Sequence, residues 1–169
     1  MIVWINGTFG VGKTETAKIL HKRISNSFLY DPEEVGYLIK KQLPVELWKE
    51  DFQDHEEWSM WNYHLLKKVI TETEKVVIVP MTLTNELYYQ EIIGRLKIEG
   101  IQIHHFTLVA EPQTILDRLM KRGDGNNEWI MNRTEKNVKQ LSGVSFQIHI
   151  NTEKLTTEET ASEVIKLMT

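Results

Sequence analysis

An apolar run, a glycine-rich loop and a helical pattern follow one another at the start of the chain, and this order restricts the fold more than any other feature. Met1-Ile2-Val3-Trp4-Ile5 is continuous and β-prone, so it reads as a buried strand. Gly7 to Thr14 spell GTFGVGKT, which fits G-x-x-x-x-G-K-[ST]. Thr16, Ala17, Ile19, Leu20 and Ile24 then fall at helical spacing. Each part has a mechanical job. Gly7, Gly10 and Gly12 let backbone N–H groups turn inward round an anion, with Thr8 and Val11 between them. Lys13 brings a compact positive charge to the outer phosphates and Thr14 a hydroxyl for a divalent cation. The helix that carries Glu15 points its positive dipole end at the same place. The expected ligands are ATP and Mg²⁺. The glycines spell G-x-x-G-x-G, which departs from the G-x-G-x-x-G of dinucleotide-binding loops.

The rest of the chain alternates strands and helices. Ser27 to Tyr30 predicts a second strand ending at Asp31-Pro32, followed by a helix from Glu33 to about Lys41. Residues Val45 to Glu57 read as irregular and acidic. Trp58, Trp61, Leu65 and Val69 predict one face of a long helix. Val76 to Val79, stopped by Pro80, suits a central parallel strand. Leu87, Ile92, Ile93 and Leu96 mark a helix capped by Asn85 and ended by Gly100. Ile103 to Val109 is the fourth strand, and Pro112 opens the helix after it. Gly123 to Asn127 reads as a loop tip, followed by a helix to about Leu141. Ser145 to Ile150 is the fifth strand, and Thr156 with Glu159 forms a capping-box pattern for a last helix. Strands alternating with helices imply an α/β fold of three layers, a five-stranded parallel sheet with helices on both faces. Ligands then bind at the carboxyl ends of the strands, where the loop, Asp31, Thr82 and Glu111 converge.

Length and composition narrow the choice further. One domain over residues 1–169 is expected, with no internal repeat and no long linker. A net charge of −4 gives no electrostatic footprint for nucleic acid. The chain has no cysteine, which removes disulfides, thiolate metal sites and cysteine nucleophiles together. His104 and His105 are adjacent in a strand and so point to opposite faces; no structural zinc is expected. With a core strand at the start and no apolar run of bilayer length, a cytoplasmic protein without a signal peptide or transmembrane segment is expected. The oligomeric state is not legible.

The loop occurs in GTPases, motor ATPases and kinases. No N-K-x-D base-reading motif is present, and the central strand closes Val79-Pro80-Met81-Thr82 without the acidic residue that motor ATPases carry. The chain resembles the P-loop small-molecule kinases, such as shikimate, gluconate and nucleoside-monophosphate kinases. That resemblance implies the strand order 2-3-1-4-5, a substrate cap at about 44–66 and a lid at about 122–133. It also implies an acidic residue near the acceptor hydroxyl and metal, matched by Asp31. Arginines that contact adenine and phosphates are matched by Arg118 and Arg122, and an adenine-contacting loop by Asn151-Thr152. The blocks MIVWINGTFGVGKT, YDPEEVGYLIKKQLP, DFQ, VIVPMTL, EIIGRLKIEG and HHFTLVA resemble the ATP-binding tunicamycin-resistance proteins. The likeness runs to about residue 110 and, through R-L-x-x-R, to Arg122. Resistance proteins of that family are expected to run longer than this chain.

These readings imply an ATP-dependent phosphotransferase acting on a small hydroxylated molecule, with a nucleoside-type antibiotic among the candidates. The alternative is a protein that sequesters a tunicamycin-like antibiotic without phosphoryl transfer. Lys13, Asp31 and Arg122 are the expected catalytic residues, and Asp31 is expected to meet Mg²⁺ with Thr14, through water. Asp31, Trp48, Phe52, Thr82 and Arg133 are the candidates for contact with the acceptor. Three bland readings stand beside these. Asp31 before Pro32 also fits a helix cap. Arg118, Arg122 and Arg133 also fit a solvated helix face. Glu111 before Pro112 fits a cap better than a base.

Overall fold

Five segments become strands: β1 (Ile2–Gly7), β2 (Ser27–Leu29), β3 (Val76–Pro80), β4 (Ile103–Val109) and β5 (His149–Asn151). They pair in parallel in the order β2-β3-β1-β4-β5, the order the resemblance implies. The computed structural model describes residues 1–124, 127–146 and 148–168. The helices are α1 (Lys13–Arg23), α2 (Pro32–Gln42), α3 (Glu56–Glu72), α4 (Glu86–Tyr89), α5 (Arg95–Ile98), α6 (Pro112–Arg122), α7 (Glu128–Leu141) and α8 (Thr157–Met168). A π turn over Gln90–Gly94 joins α4 to α5.

Two cores lie on the two faces of the sheet, and β1 feeds both. Ile2 and Trp4 join Val35 and Ile39 of α2, Trp58, Tyr63 and Leu66 of α3, and Leu96 of α5. Val3 and Ile5 join Ala17 and Leu20 of α1, Ile115 and Leu119 of α6, and Ala161 and Val164 of α8. Alternate residues of a strand point to opposite faces, so a strand that is apolar from Ile2 to Ile5 must be covered on both. Helix starts are chemically marked. Asn85 caps α4 by accepting from the N–H of Leu87. Thr156 and Glu159 make the reciprocal capping box of α8, each binding the other's backbone N–H. Among the described residues no helix is long and apolar enough to cross a membrane.

The structure differs from three sequence expectations. The inward face of α3 is Trp58, Ser59, Asn62, Tyr63 and Leu66, whereas Trp61 and Leu65 are exposed. Tyr30 explains the shift: its hydroxyl donates to buried Asn62 at 2.7 Å, so a polar residue holds a core position that an apolar pattern does not register. The fifth strand starts at His149. Val144–Phe146 form a 3₁₀ turn instead, held where Phe146 N–H donates to the Gly143 carbonyl and buries its ring. Asn151 is therefore the last residue of β5 and does not follow it. Glu111 precedes α6, but its side chain makes no capping bond; its backbone N–H donates to Glu153, beyond β5, at 2.9 Å. Of the expected loop tip, Gly125 and Asn126 lie outside the described residues, as does Gln147.

Candidate active site

The loop leaves β1 already strapped to its neighbours. Asn6 is fully buried, and its Oδ1 accepts from the N–H groups of Gly7 and Leu83, each at 2.8 Å. Its Nδ2 donates to the Leu83 carbonyl at 2.8 Å and lies 3.3 Å from His105 Nε2. The Thr82 hydroxyl donates to the Gly7 carbonyl at 2.8 Å. Gly7 and Gly10 have φ of 144° and 74°. A Cβ on Gly7 would lie 2.8 Å from the Leu108 carbonyl oxygen, and one on Gly10 would lie 2.8 Å from Leu119 Cγ. Both positions therefore need glycine for space as well as for conformation.

The loop ends at Gly12, with φ of 107°, and α1 begins at Lys13. Lys13 Nζ donates to the Thr8 carbonyl at 3.0 Å and stands 5.8 Å from the Phe9 ring centre. The surrounding protein strips water from this ammonium and pulls its pKa down to about 8; Glu33 opposes the shift and Arg122 adds to it. The result is a poorly hydrated cation at a helix N-terminus, an arrangement that an anion completes. Thr14 and Glu15 are exposed in the first turn, and Glu15 pairs with Lys18 at 2.7 Å.

A cavity of about 780 Å³ opens over the loop. Gly10, Gly12, Lys13, Thr14 and Arg122 line its loop side. Glu33 and Tyr37 of α2, together with Glu50, Asp51 and Phe52 of the following segment, line its cap side. Thr82 and Arg133 also belong to the wall. Helical spacing selects these groups. Glu33, Tyr37 and Lys40 recur at i, i+4 and i+7 on α2, while Ile130, Arg133 and Asn137 share one face of α7. The Tyr37 hydroxyl donates to Glu33 at 3.2 Å. Arg133 pairs with Asp51 and, at 3.4 Å, with Glu50, so α7 is tied to the segment between α2 and α3. Arg122 pairs with Asp124.

The remaining candidates fall in several places. Asp31 is exposed, caps α2 by accepting from Glu33 N–H at 2.9 Å, and stands outside the cavity wall; Glu33, two residues on, is in it. Trp48 is half exposed, donates to the Leu43 carbonyl at 3.1 Å and also lies outside the wall. Phe52 lines the cavity while resting on Gly36, where a Cβ would come within 2.4 Å of its ring. Thr82 lines it too, with its hydroxyl already committed to Gly7. Arg118, Asn151 and Thr152 form a separate rim. Arg118 donates to the Thr152 carbonyl at 2.9 Å and hydroxyl at 3.2 Å, and reaches the Val11 carbonyl at 3.5 Å. Asn151 is exposed beside them and accepts from Glu153 N–H. Thr8 and Val11 are buried beneath the loop.

Sequence reasoning did not single out Glu33 or Tyr37 as wall residues, whereas Glu50 and Asp51 belong to the acidic, aromatic segment it read as a cap over the acceptor. The i, i+4, i+7 spacing from Glu33 was the available signal for the first two. Nothing in the local pattern marks Asp51, whose place depends on a contact 82 residues away in sequence. Among the described residues, no group of three or more His, Asp or Glu side chains could hold a metal ion. A Mg²⁺ ion fits here only if phosphate oxygens and water supply most of its ligands, with Thr14 the hydroxyl at hand.

A family described as an AAA domain matches residues 3–139. The structure is similar to that of the tunicamycin resistance protein of Deinococcus radiodurans, with a TM-score of 0.84 and 35% identity, covering 99% of this chain and 94% of that one. A gluconokinase from Sinorhizobium meliloti shares the fold at 11% identity, with a TM-score of 0.67 over 97% of this chain and 89% of its own. So does the APS kinase of Mycobacterium tuberculosis at 14% identity, with a TM-score of 0.64 over 99% and 96%. No curated protein matches the sequence.

Proposed function

Because this chain belongs to the tunicamycin-resistance-protein family of AAA-domain, P-loop kinase-like proteins, we propose that it is an ATP-dependent phosphotransferase acting on a small hydroxylated molecule. The observation that carries this reading is the continuity of one cavity from the phosphate loop to a carboxylate, Glu33, whose charge is felt at Lys13.

In this reading Gly7 to Thr14 hold the phosphates through backbone N–H groups, with Lys13 and Arg122 on the transferred group. Thr14 would carry Mg²⁺, which supplies charge neutralisation at the phosphates when bound. Arg118 would offer its planar face to the base, with Asn151 and Thr152 at the base's edge. The acceptor lies against Tyr37, Phe52 and Thr82. Its hydroxyl oxygen forms a bond to the γ-phosphorus as the bond to the β,γ-bridging oxygen breaks, and ADP departs. The hydroxyl proton passes to Glu33, which takes the catalytic role expected of Asp31. Asp31 serves that role indirectly, because its cap fixes the first turn of α2 on which Glu33 sits. A lid over 122–133 and a cap over the segment between α2 and α3 would close on this cavity, joined by Arg133 and Asp51.

The test is incubation with γ-labelled ATP and a panel of hydroxylated metabolites, tunicamycin included, followed by mass analysis of the products. Transfer to any acceptor that is lost in Glu33→Gln supports the reading. Tight binding of ATP and tunicamycin with no labelled product would favour the sequestering protein.

A further inference from the structure

We propose that the acceptor is an uncharged or cationic hydroxylated molecule, and that Glu50 and Asp51 exclude anionic acceptors by occupying Arg133. This rests on the reading of the cap side of the cavity as the acceptor site. The charges there are unevenly available. Glu33, Glu50 and Asp51 face the cap side of the cavity together with Lys40 and Arg133, while Lys13 and Arg122 stand on its loop side. Arg133 is consumed: it pairs with Asp51 and with Glu50, and only about a quarter of its side chain is exposed. Lys40 stands 6.0 Å from the Trp48 ring centre, on the face of α2 that also carries Glu33.

An acceptor with a carboxylate, sulfate or phosphate would enter beside three carboxylates and have to compete for Arg133 with two of them. Like charges at this range cost several-fold to many-fold in affinity when water is partly excluded. A neutral or ammonium-bearing acceptor meets the opposite situation. Its hydroxyl or ammonium groups donate to carboxylates already in place, and its rings or carbon skeleton lie on Tyr37 and Phe52. Asp51 is held for this task. It is half-buried, and its side chain also accepts from the Gln53 N–H at 3.0 Å, which fixes the turn from which it points at Arg133.

The pairing gives a test that creates an activity. In Glu50→Gln/Asp51→Asn both side chains keep their size, the introduced asparagine side chain can still cap the turn, and Arg133 loses the charge of both carboxylates. Binding is measured by calorimetry in the presence of a non-hydrolysable ATP analogue. The probes are matched pairs: a hexose and its aldonate, a nucleoside and its monophosphate, an amino sugar and its N-sulfate. The wild type is expected to prefer the neutral or cationic member of a pair by on the order of tenfold or more, and the double variant to gain affinity for the anionic member by on the order of tenfold. Equal or tighter binding of anionic members by the wild type overturns the proposal. Should the wild type bind neither member of any pair, the double variant decides: new anion binding that Arg133→Gln abolishes upholds the proposal, and no gain overturns it. Label transfer from γ-labelled ATP, followed in the same samples, reports separately on phosphotransfer. Transfer to an anionic acceptor leaves the proposed function standing while this inference falls.

Discussion

Lys13 ties nucleotide binding to a proton, and the size of the effect follows from its burial. Its pKa is pulled down to about 8 because desolvation outweighs the pull of Glu33. Phosphates placed against it restore the ammonium and raise that pKa. A group whose pKa rises on binding favours binding fully below its free-state pKa and loses that contribution as pH rises through it. The neutral fraction of Lys13 in the free protein is about a tenth at pH 7, about a half at pH 8 and about nine-tenths at pH 9. Binding of Mg·ATP at pH 8 should therefore take up about half a proton, and affinity should fall about twofold by pH 8 and about tenfold by pH 9 relative to its value near pH 6.5. The terminal phosphate titrates near pH 6 and contributes little to uptake at pH 8. Calorimetry at pH 8 in two buffers of different ionisation enthalpy measures the uptake directly, with Lys13→Ala as the background. Affinity that stays flat from pH 7 to 9, or equal uptake in wild type and Lys13→Ala, would refute the argument that the loop desolvates this lysine.

The other predictions concern neighbouring parts. Glu33→Gln should cut transfer by about 10²-fold to 10⁴-fold while leaving ATP bound, and should raise proton uptake at pH 7.5 by removing the charge that holds Lys13 protonated. Asp31→Asn should change unfolding free energy by no more than about 0.5 kcal/mol and leave turnover near normal, since asparagine caps as well as aspartate; a turnover loss matching that of Glu33→Gln would return the catalytic role to Asp31. Asn6→Ala should destabilise the fold by about 3 kcal/mol or more in urea titration, because it leaves the N–H groups of Gly7 and Leu83 buried without their acceptor. Gly36→Ala should cost about 1–3 kcal/mol and weaken acceptor binding more than ATP binding, because the new methyl displaces Phe52.

The fold was legible because its signals are local. An apolar strand from Ile2 to Ile5, a glycine loop and a helix are written within residues 2 to 23, and the same alternation repeats along the chain. Failures occurred where a polar residue sits inside or an apolar one outside. Asn62 and Ser59 hold core positions on α3, while Trp61 and Leu65 face water, so of the expected stripe only Trp58 and Val69 meet the core. The fifth strand is three residues long, and a segment that short gives periodicity too little to act on.

The site divides along the same line. The phosphate loop was readable because every group in it comes from eight consecutive residues. The opposite wall of the cavity was readable only as a cap segment, because its parts come from α2, the turns after it and α7, and only folding brings them together. Asp31 and Glu33 show how fine the distinction is. Both carboxylates lie at the start of one helix, two residues apart. A cap must bend back to the helix's own N–H groups, and Asp31 does so at Glu33. The residue at the second helical position has no such duty and projects sideways instead. On α2 that direction is the face shared with Tyr37 and Lys40, and the sheet places that face over the loop. The sequence Asp-Pro-Glu-Glu thus assigns its own roles once the helix start is fixed at Pro32: the first carboxylate holds the helix, and the next, Glu33, reaches the cavity. β3 carries no carboxylate at its end, so α2 is where the described cavity wall brings one within electrostatic reach of Lys13.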